Sequence, residues 1–401
     1  MGRLLSKQSY RDILLGLGLL LAALALVAWP GESMSAMKDG LQLCGNVILP
    51  SLFPFFVLSS LVVELGMARY LGRALEKIMW PLFRVNGACV SALVLGFVGG
   101  YPVGARTAIR LYETGACSRT EAQRLLAFCN NSGPAFILGV VGTGIFSSGR
   151  IGLMLYLTHI AASLCVGLLF RFYRREPGPA RRPGHPPQFQ AARFSAAFIA
   201  SVKGALMSML NICAFVVFFT VVIRLLFLSG VMEGAAGLVS LLLSPLGLDR
   251  SWTEKLLIGL LEVSSGVASL SGPGALTGRV SMAAFMLGWA GLSVHCQVLS
   301  FVGDSGLSVG PYLGGKLLHG AFSAVFILLL TRLFPLEQPV SSYLSQQVET
   351  LAALDFHRCI AISAVTAFVV WLAFLALSAR AARALRTAPT RCRRSPSRRR
   401  G

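Results

Sequence analysis

Charged residues are scarce in this chain of 401 residues. They make up 13% of it, and only 16 are Asp or Glu, whereas a soluble globular domain carries about 25% charged residues. A water-soluble protein is therefore excluded. A disordered chain is excluded as well, because such chains are poor in apolar residues and 55% of this one is hydrophobic. Together with a mean hydropathy of +0.70, the composition predicts an integral membrane protein.

Motifs that bind metals or perform catalysis are missing too. The nine cysteines include no CxxC pair, so neither a disulfide framework nor a zinc site is indicated. No GxSxG, HExxH or paired DxD motif occurs. The glycine-rich stretch at 139–144 resembles a phosphate-binding loop only in its glycine count, since no Lys–Ser/Thr pair follows it. We therefore expect neither an enzyme nor a cofactor or metal site.

Positive charge is in excess, with 36 Lys and Arg giving a net charge of +20. These basic residues lie in loops and tails beside apolar segments, where they act as topology signals. The arginine-rich block at 391–400 could bind RNA, but attraction to anionic lipids of the cytoplasmic leaflet is favoured. The expected partner is thus the lipid bilayer and not nucleic acid, with both termini in the cytoplasm.

The 42 Gly and 18 Pro recur inside apolar segments, where they interrupt spanning helices. We predict an all-α polytopic membrane protein with two re-entrant hairpins and broken helices. The first apolar run could also be a signal peptide, although the many later spans favour an uncleaved N-terminal helix. The eight predicted full spans are 13–29, 41–65, 125–146, 151–172, 196–228, 282–302, 313–333 and 360–378.

The second half of the chain repeats the first in order. The strongest echo is His159 followed by Ser163, against His319 followed by Ser323. Because each repeat has three full crossings and one hairpin, the second copy is expected to be inverted. The predicted division is an N-terminal helix at 1–34, a first repeat at 35–172, a basic Pro-rich cytoplasmic linker at 173–194, a second repeat at 195–335, an outside loop at 336–356, a last helix at 357–379 and a basic cytoplasmic tail at 380–401.

The distribution of charge agrees with the inversion. The interfacial piece of the first copy, at 66–86, carries four basic residues. Its counterpart at 230–248 contains Glu233 and no Lys or Arg. Cytoplasmic segments are enriched in Lys and Arg, so the first piece is predicted inside and the second outside.

Paired broken elements of inverted repeats form the substrate site of secondary transporters near the membrane midplane. The pairs here are two hairpins, at 96–104 and 262–271, and two interrupted helices, at 130–134 and 288–297. Their half-helix N-termini expose unpaired N–H groups, which suit an anionic substrate. The candidate substrate-binding residues are Gly99, Gly100, Tyr101, Pro102, Gly104, Arg106, Asn130, Asn131, Ser132, Gly133, Glu262, Ser264, Ser265, His295 and Gln297.

Several of these residues have a structural interpretation as well. Glu262 could contact substrate or pair with Arg279 or a backbone N–H. Arg106 could be a topology signal or the counter-ion of a substrate carboxylate. His295 could be a ligand or proton carrier, or a satisfied buried histidine. Three further residues outside this set are expected to be structural. His159 and His319 pack between helices. Asp304 is a turn residue, with a role as sodium or proton acceptor as its alternative.

Three segments carry a resemblance to a known family. They are LPSLFPFF at 49–56, GGYPVGAR at 99–106 and LAFCNNSGPAFI at 126–137. Together they resemble the sporulation integral membrane protein family of the YlbJ type, in the nucleoside-recognition or Gate domain group, over about residues 35–335. The resemblance implies a fold similar to concentrative nucleoside transporters. It also implies a role in spore-forming bacteria, in loading dipicolinate into the developing spore from the mother cell, at the cell membrane or the outer forespore membrane.

The sequence thus predicts a secondary transporter of a small anionic metabolite, with dipicolinate as the leading candidate. A nucleoside-type transporter is the alternative within transport. A non-transporting scaffold of a sporulation complex is the alternative outside it. The coupling ion (sodium or a proton) and the partners, either further copies of the chain or other sporulation membrane proteins, stay open.

Overall fold

The computed structural model describes residues 7–65, 77–174, 194–272 and 274–336, with single positions at 365, 368, 369 and 372. The chain divides into two compact units, 1–336 and 337–401. All of the described residues except the four single positions belong to the first unit. The predicted outside loop, last helix and basic tail, and nearly all of the linker, lie outside the described residues.

The described part of the first unit is helical and contains no strand. Its α-helices are α1 (Lys7–Ala28), α2 (Pro30–Leu43), α3 (Leu49–Glu64), α4 (Lys77–Phe83), α5 (Val90–Gly99), α6 (Val103–Glu113), α7 (Arg119–Leu126), α8 (Gly149–Phe170), α9 (Phe194–Leu228), α10 (Val231–Leu243), α11 (Arg250–Leu261), α12 (Val263–Ala268), α13 (Leu276–Trp289), α14 (Gly291–Ser305) and α15 (Gly310–Leu333). Two π-helical segments, Cys44–Ile48 and Ala135–Ile145, and two short 3-10 helices, Gly87–Cys89 and Ser244–Leu246, complete it.

Four helices in the described part are long and apolar enough to cross a membrane, and two bent pairs raise the number to six. The four are α8, α9, the combined α13 and α14, and α15. The bent pairs turn by 96° after α1 and by 94° after α4. Of the eight predicted spans, the one at 360–378 lies outside the described residues except for four single positions, and the one at 125–146 is interrupted and is not a single helix. The predicted spans at 13–29 and 41–65 are not found as separate spans. One bent pair, at 15–48, covers the first and only the start of the second, and the other, at 77–99, runs from the predicted interfacial piece into the first hairpin.

The second predicted span bends at a π-helical turn. In this turn the Leu49 N–H donates to the carbonyl of Cys44, five residues back. Pro50 has no N–H to donate, and its ring would collide with the carbonyl four residues earlier in a regular helix. The wider turn relieves that collision.

Each half of the first unit, corresponding to the predicted repeats at 35–172 and 195–335, contains a tight hairpin whose two legs meet through glycines. The first hairpin joins α5 to α6 at Gly100 (φ 70°), with Gly96 and Gly104 facing each other across it. The second joins α11 to α12 at Glu262, where a Cβ on Gly266 would lie 2.2 Å from the Cα of Gly259. The second hairpin begins at Arg250 and its short return helix ends at Ala268, earlier than the predicted 262–271.

Each half also contains a broken helix that packs on its own hairpin. In the first half, residues 127–134 are unwound between α7 and the π-helix, and a Cβ on Gly96 would lie 1.8 Å from the carbonyl oxygen of Cys129. In the second, Ala290 and Gly291 have φ values of 84° and 80° between α13 and α14. A Cβ on Gly291 would lie 2.9 Å from the backbone nitrogen of Val263.

The long helices α8 and α15 close each half in the same manner. A Cβ on Gly142 would lie 2.5 Å from the Cα of Gly152 in α8, and a Cβ on Gly288 would lie 2.5 Å from the Cα of Gly320 in α15. Small residues allow this close approach of helices in membranes. The order of hairpin, broken helix and long helix is therefore the same in both halves, as the sequence predicts.

Candidate functional site

A cavity lies where the two hairpin turns, the two helix breaks and the helices α3 and α9 meet. Its volume is about 60 Å³, and it is partly open to the outside. One side is apolar and the other carries backbone and side-chain polar groups. Its lining residues are Ile48, Leu52, Phe56, Gly100, Tyr101, Ser132, Gly133, Ala135, Phe136, Ile212, Phe215, Val216, Glu262, Val263, Ser264, Ser293, Val294 and Gln297.

Four helical segments start at this cavity. They are α6 after the turn at Gly100, the π-helix at Ala135, α12 at Val263 and α14 at Gly291. The first N–H groups of a helix have no intrahelical acceptor and carry a partial positive charge. The cavity is thus bordered by several backbone donors, which is the convergence of half-helix ends that the sequence predicts.

Glu262 occupies one of these ends itself. Its carboxylate accepts hydrogen bonds from the N–H groups of Ser264 (2.9 Å) and Ser265 (2.5 Å), and its side chain is 2% exposed. The predicted pairing with Arg279 is wrong, because the Arg279 guanidinium donates to the carbonyls of Leu270 and Gly272. The backbone N–H alternative is confirmed: Glu262 caps α12 and adds a carboxylate to the cavity wall.

The unwound segment at 127–134 is held by side chains from α8. The carbonyl of Phe128 accepts from Asn131 Nδ2 (3.0 Å) and from Ser163 Oγ (2.7 Å). The N–H of Ser132 donates to His159 Nε2 at 3.0 Å. His159 and Ser163 therefore satisfy the backbone of the break, as the structural interpretation of this histidine requires.

Within the part of the chain that the structure describes, three side-chain oxygens of the break have no hydrogen-bond partner: Asn130 Oδ1, Asn131 Oδ1 and Ser132 Oγ. All three side chains are at least 99% buried. Of the three residues, only Ser132 lines the cavity. Buried polar atoms without partners are rare in folded proteins, and Ser132 is therefore the clearest candidate for a direct ligand contact.

His295 lies behind the cavity wall and not in it. Its Nδ1 is 2.9 Å from the hydroxyl of Tyr312, which lies 3.5 Å from Asn130 Nδ2. This contact ties α14 to the break of the first half, whereas His295 Nε2 has no partner. Gln297, one helical step further, does line the cavity.

Lys316 is a functional candidate that the sequence analysis missed. It lies in α15, is 1% exposed, and donates from Nζ to the carbonyl of Asn130 at 3.0 Å. Its Nζ is 3.3 Å from His319 Nδ1 and 5.1 Å from the centre of the Tyr101 ring. The signal was available, because a lone lysine inside an apolar span is a functional candidate by default.

A second, larger space of about 820 Å³, which we call the vestibule, adjoins the cavity. The two share Phe56, Tyr101, Ile212 and Gln297. Arg106 lines the vestibule and is exposed, with its guanidinium 5.5 Å from the centre of the Phe301 ring. It is therefore placed outside the smaller cavity.

The fifteen predicted residues separate into three groups. Seven line the cavity: Gly100, Tyr101, Ser132, Gly133, Glu262, Ser264 and Gln297. Gly99, Pro102 and Arg106 line the vestibule only. Gly104, Asn130, Asn131, Ser265 and His295 support these walls from behind.

The apolar wall of the cavity was not predicted as part of the site. It is formed by side chains of α3 and α9 and of the π-helical segments, among them Leu52, Phe56, Phe136 and Phe215. Leu52, Phe56 and Phe136 fall within the segments that carry the family resemblance, but their apolar character did not mark them as site residues. Phe215 lies in none of those segments.

Comparison with known proteins places the chain in a family. The family model described as "Gate: Nucleoside recognition" matches residues 47–174. The sporulation integral membrane protein YlbJ of Bacillus subtilis (strain 168) is 32% identical over 329 residues, which cover 76% of this chain and 79% of that protein.

Among solved structures, a substituted form of CNTnw in an outward-facing state aligns with a TM-score of 0.52 at 14% identity, over 82% of this chain and 88% of that one. An inward-facing, substrate-bound CNTnw aligns with a TM-score of 0.48 at 16% identity, over the same shares of the two chains. The first of these shows the fold of a concentrative nucleoside transporter. On the strength of its sequence identity and coverage, the chain belongs to the YlbJ family of sporulation integral membrane proteins.

Proposed function

We propose that this chain is a secondary transporter that moves a small anionic metabolite by alternating access, with dipicolinate as its first candidate substrate. The observation that supports this most is the convergence of four helix starts on one cavity between two hairpin turns, three of them without the carboxylate cap that Glu262 gives α12. Helix N-termini favour anions. In transporters with broken helices such ends bind the anionic groups of the substrate.

The two sides of the cavity suit a flat aromatic acid. Leu52, Phe56 and Phe215 offer an apolar face to a ring. The opposite side offers backbone N–H groups of the helix starts and the partnerless Ser132 hydroxyl. Dipicolinate is a planar pyridine with two carboxylates at its edge, so its face and its charged edge match these two surfaces.

A nucleoside is the second candidate, because one observation favours it. Glu262 places a carboxylate on the cavity wall, and a carboxylate attracts ligands that donate hydrogen bonds and repels anions. Ribose hydroxyls and base N–H groups are such donors. The "Nucleoside recognition" description of the matching family model points the same way.

Ligand binding to the purified protein tests these alternatives. A ligand at a hundred times its dissociation constant stabilises the fold by about 2.7 kcal/mol, which a thermal-shift assay detects. The panel is dipicolinate, isophthalate (the same two carboxylates without the ring nitrogen) and uridine. We expect stabilisation by dipicolinate, less by isophthalate and none by uridine.

The other outcomes decide against parts of the proposal. Stabilisation by uridine alone would favour the nucleoside candidate. No stabilisation by any of the three ligands, from a protein that melts cooperatively, would favour the non-transporting scaffold.

The site of action is proposed on the family relationship. We expect the protein in the outer forespore membrane of a sporulating mother cell, because the related Bacillus subtilis protein is a sporulation integral membrane protein. Fluorescence of a tagged protein that encircles the forespore would support this location. Fluorescence restricted to the mother-cell envelope would contradict it.

A further inference from the structure

The unwound segment of the first half meets one buried cation, Lys316 of α15. This helix can approach the segment closely because residue 315 is glycine: a Cβ there would lie 2.2 Å from the carbonyl oxygen of Ala127. The approach brings Lys316 Nζ to 3.0 Å from the carbonyl oxygen of Asn130. Nζ is also 5.1 Å from the centre of the Tyr101 ring, and Tyr101 lines the substrate cavity.

The groups around Lys316 resemble those that hold a free monovalent cation. Among the ion pairs of the described residues none includes Lys316. Its neighbours are instead a backbone carbonyl of a broken helix, an imidazole nitrogen of His319 at 3.3 Å and an aromatic face. Carbonyl oxygens of unwound helices coordinate coupling ions in transporters, and aromatic faces attract cations.

The same residues leave little room for a second cation. The Asn130 carbonyl already accepts from the ammonium, and the Phe128 carbonyl accepts from two side chains. The described residues contain no group of three or more His, Cys, Asp or Glu side chains able to hold a metal ion. A sodium ion at this break would meet the protonated Lys316 amine and carbonyls that are already engaged.

We propose that the Lys316 ammonium takes the place of a coupling cation beside the substrate cavity, so that this protein neither binds sodium at the break nor needs it. The proposal rests on the proposed transport function for its biological meaning. At the unwound segment of the first half, the covalently attached ammonium of Lys316 supplies the positive charge that a free ion would bring, and it binds the Asn130 carbonyl by a hydrogen bond where such an ion would coordinate it.

Replacement of the cation tests the proposal without any substrate. The melting temperature of the purified wild type is measured in sodium, potassium and choline chloride at one ionic strength. The same series is run on Lys316→Ala, on Lys316→Arg and on Lys203→Ala, a control at an exposed lysine of α9. Methylammonium, a free analogue of the missing ammonium, is added to each.

We expect the Tm of the wild type and of the control to be the same in all three salts. Lys316→Ala should melt lower in choline and recover at least half of the lost Tm in sodium or methylammonium, because a free cation can then enter the vacated space. Lys316→Arg, which keeps a tethered cation, should show no such recovery.

Two results would overturn the proposal. One is a sodium-specific rise in the Tm of the wild type, which needs no variant and holds even if Lys316→Ala does not fold. The other is a folded Lys316→Ala whose Tm responds to neither cation. Both Tm results are measured without substrate. A failure of dipicolinate and uridine to bind is a separate result, and it would count against the proposed function alone.

Discussion

At the scale of single residues, the cavity combines groups that favour an anion with one that opposes it. The helix starts and the Ser132 hydroxyl favour negative charge, whereas the Glu262 carboxylate opposes it. The balance between them determines which ligand binds. It can be measured by substitutions that remove one group at a time.

Ser132→Ala should weaken binding while leaving the fold intact. Among the described residues the Ser132 hydroxyl makes no hydrogen bond of acceptable geometry, although it lies near the Tyr101 side chain. Its loss should therefore chiefly remove a hydrogen bond to ligand, worth about 1 kcal/mol, or about fivefold in Kd. Calorimetric titration with dipicolinate measures the change. Ser201→Ala is the matched control, since its hydroxyl is also buried and partnerless but lies in α9 away from the cavity. Equal Kd values for the two variants would exclude a ligand contact at Ser132.

Glu262→Gln should change ligand preference more than stability. The amide oxygen can still cap α12, so the loss of stability should stay within about 1 kcal/mol. Removal of the negative charge should tighten dipicolinate binding and weaken any binding of uridine, as measured by titration of both ligands. Tighter binding of uridine, or weaker binding of dipicolinate, would show that Glu262 does not repel the anion.

What the sequence reveals at this scale depends on how unusual a residue is in its surroundings. Asn130, Asn131 and Glu262 stand out because polar groups are costly inside a membrane segment. The partner of Glu262 could not be predicted, because the choice between Arg279 and a backbone N–H depends on the fold of the hairpin. The roles of Phe56 and Phe215 could not be predicted, even though Phe56 lies in one of the family segments, because apolar residues occur throughout every span.

At the scale of elements, the hairpins and breaks form units locked by backbone contacts. The legs of the first hairpin enclose the Cys129 carbonyl from both sides, through Gly96 and Gly104. Glycine and proline clusters in apolar segments predict such irregular elements well. The exact boundaries differ, as the start of the second hairpin at Arg250 shows, because the apolar composition of α11 does not mark where a re-entrant leg begins.

Gly104→Ala should disrupt the first hairpin. A Cβ at this position would lie 1.9 Å from the carbonyl oxygen of Cys129, and a backbone atom cannot move aside as a side chain can. Overpacking costs of about 3 kcal/mol or more are expected, seen as a lower Tm and a loss of ligand binding. Gly303→Ala in α14 is the control, because nothing lies within 4 Å of its added Cβ. A variant at Gly104 as stable as the control would contradict the close packing of hairpin and break.

At the scale of the whole molecule, the order of elements in the two halves was predictable because it rests on the spacing of apolar runs, glycines and prolines. The count of spans was less predictable, since bent and broken segments resemble straight ones in hydropathy. Orientation in the bilayer stays a prediction, drawn from the asymmetry of basic residues between the segments 66–86 and 230–248.

Labelling of introduced cysteines tests that orientation. Gly234→Cys in α10 should react with a membrane-impermeant maleimide added to intact cells, because the inverted second copy places this exposed position outside. Lys77→Cys in α4 should react only after permeabilisation. Labelling is read above that of the parent chain, whose Cys296 is exposed. Reaction of both positions from the same side would contradict the inversion.

The central claim is that the cavity carries a substrate across the membrane without help from another protein. Uptake of radiolabelled dipicolinate into liposomes that contain only this protein tests it most directly. We expect saturable uptake above that of protein-free liposomes, reduced by Gly104→Ala and retained by Gly303→Ala. Uptake no greater than in protein-free liposomes, from a folded protein that binds dipicolinate, would contradict transport and leave a binding or scaffold role.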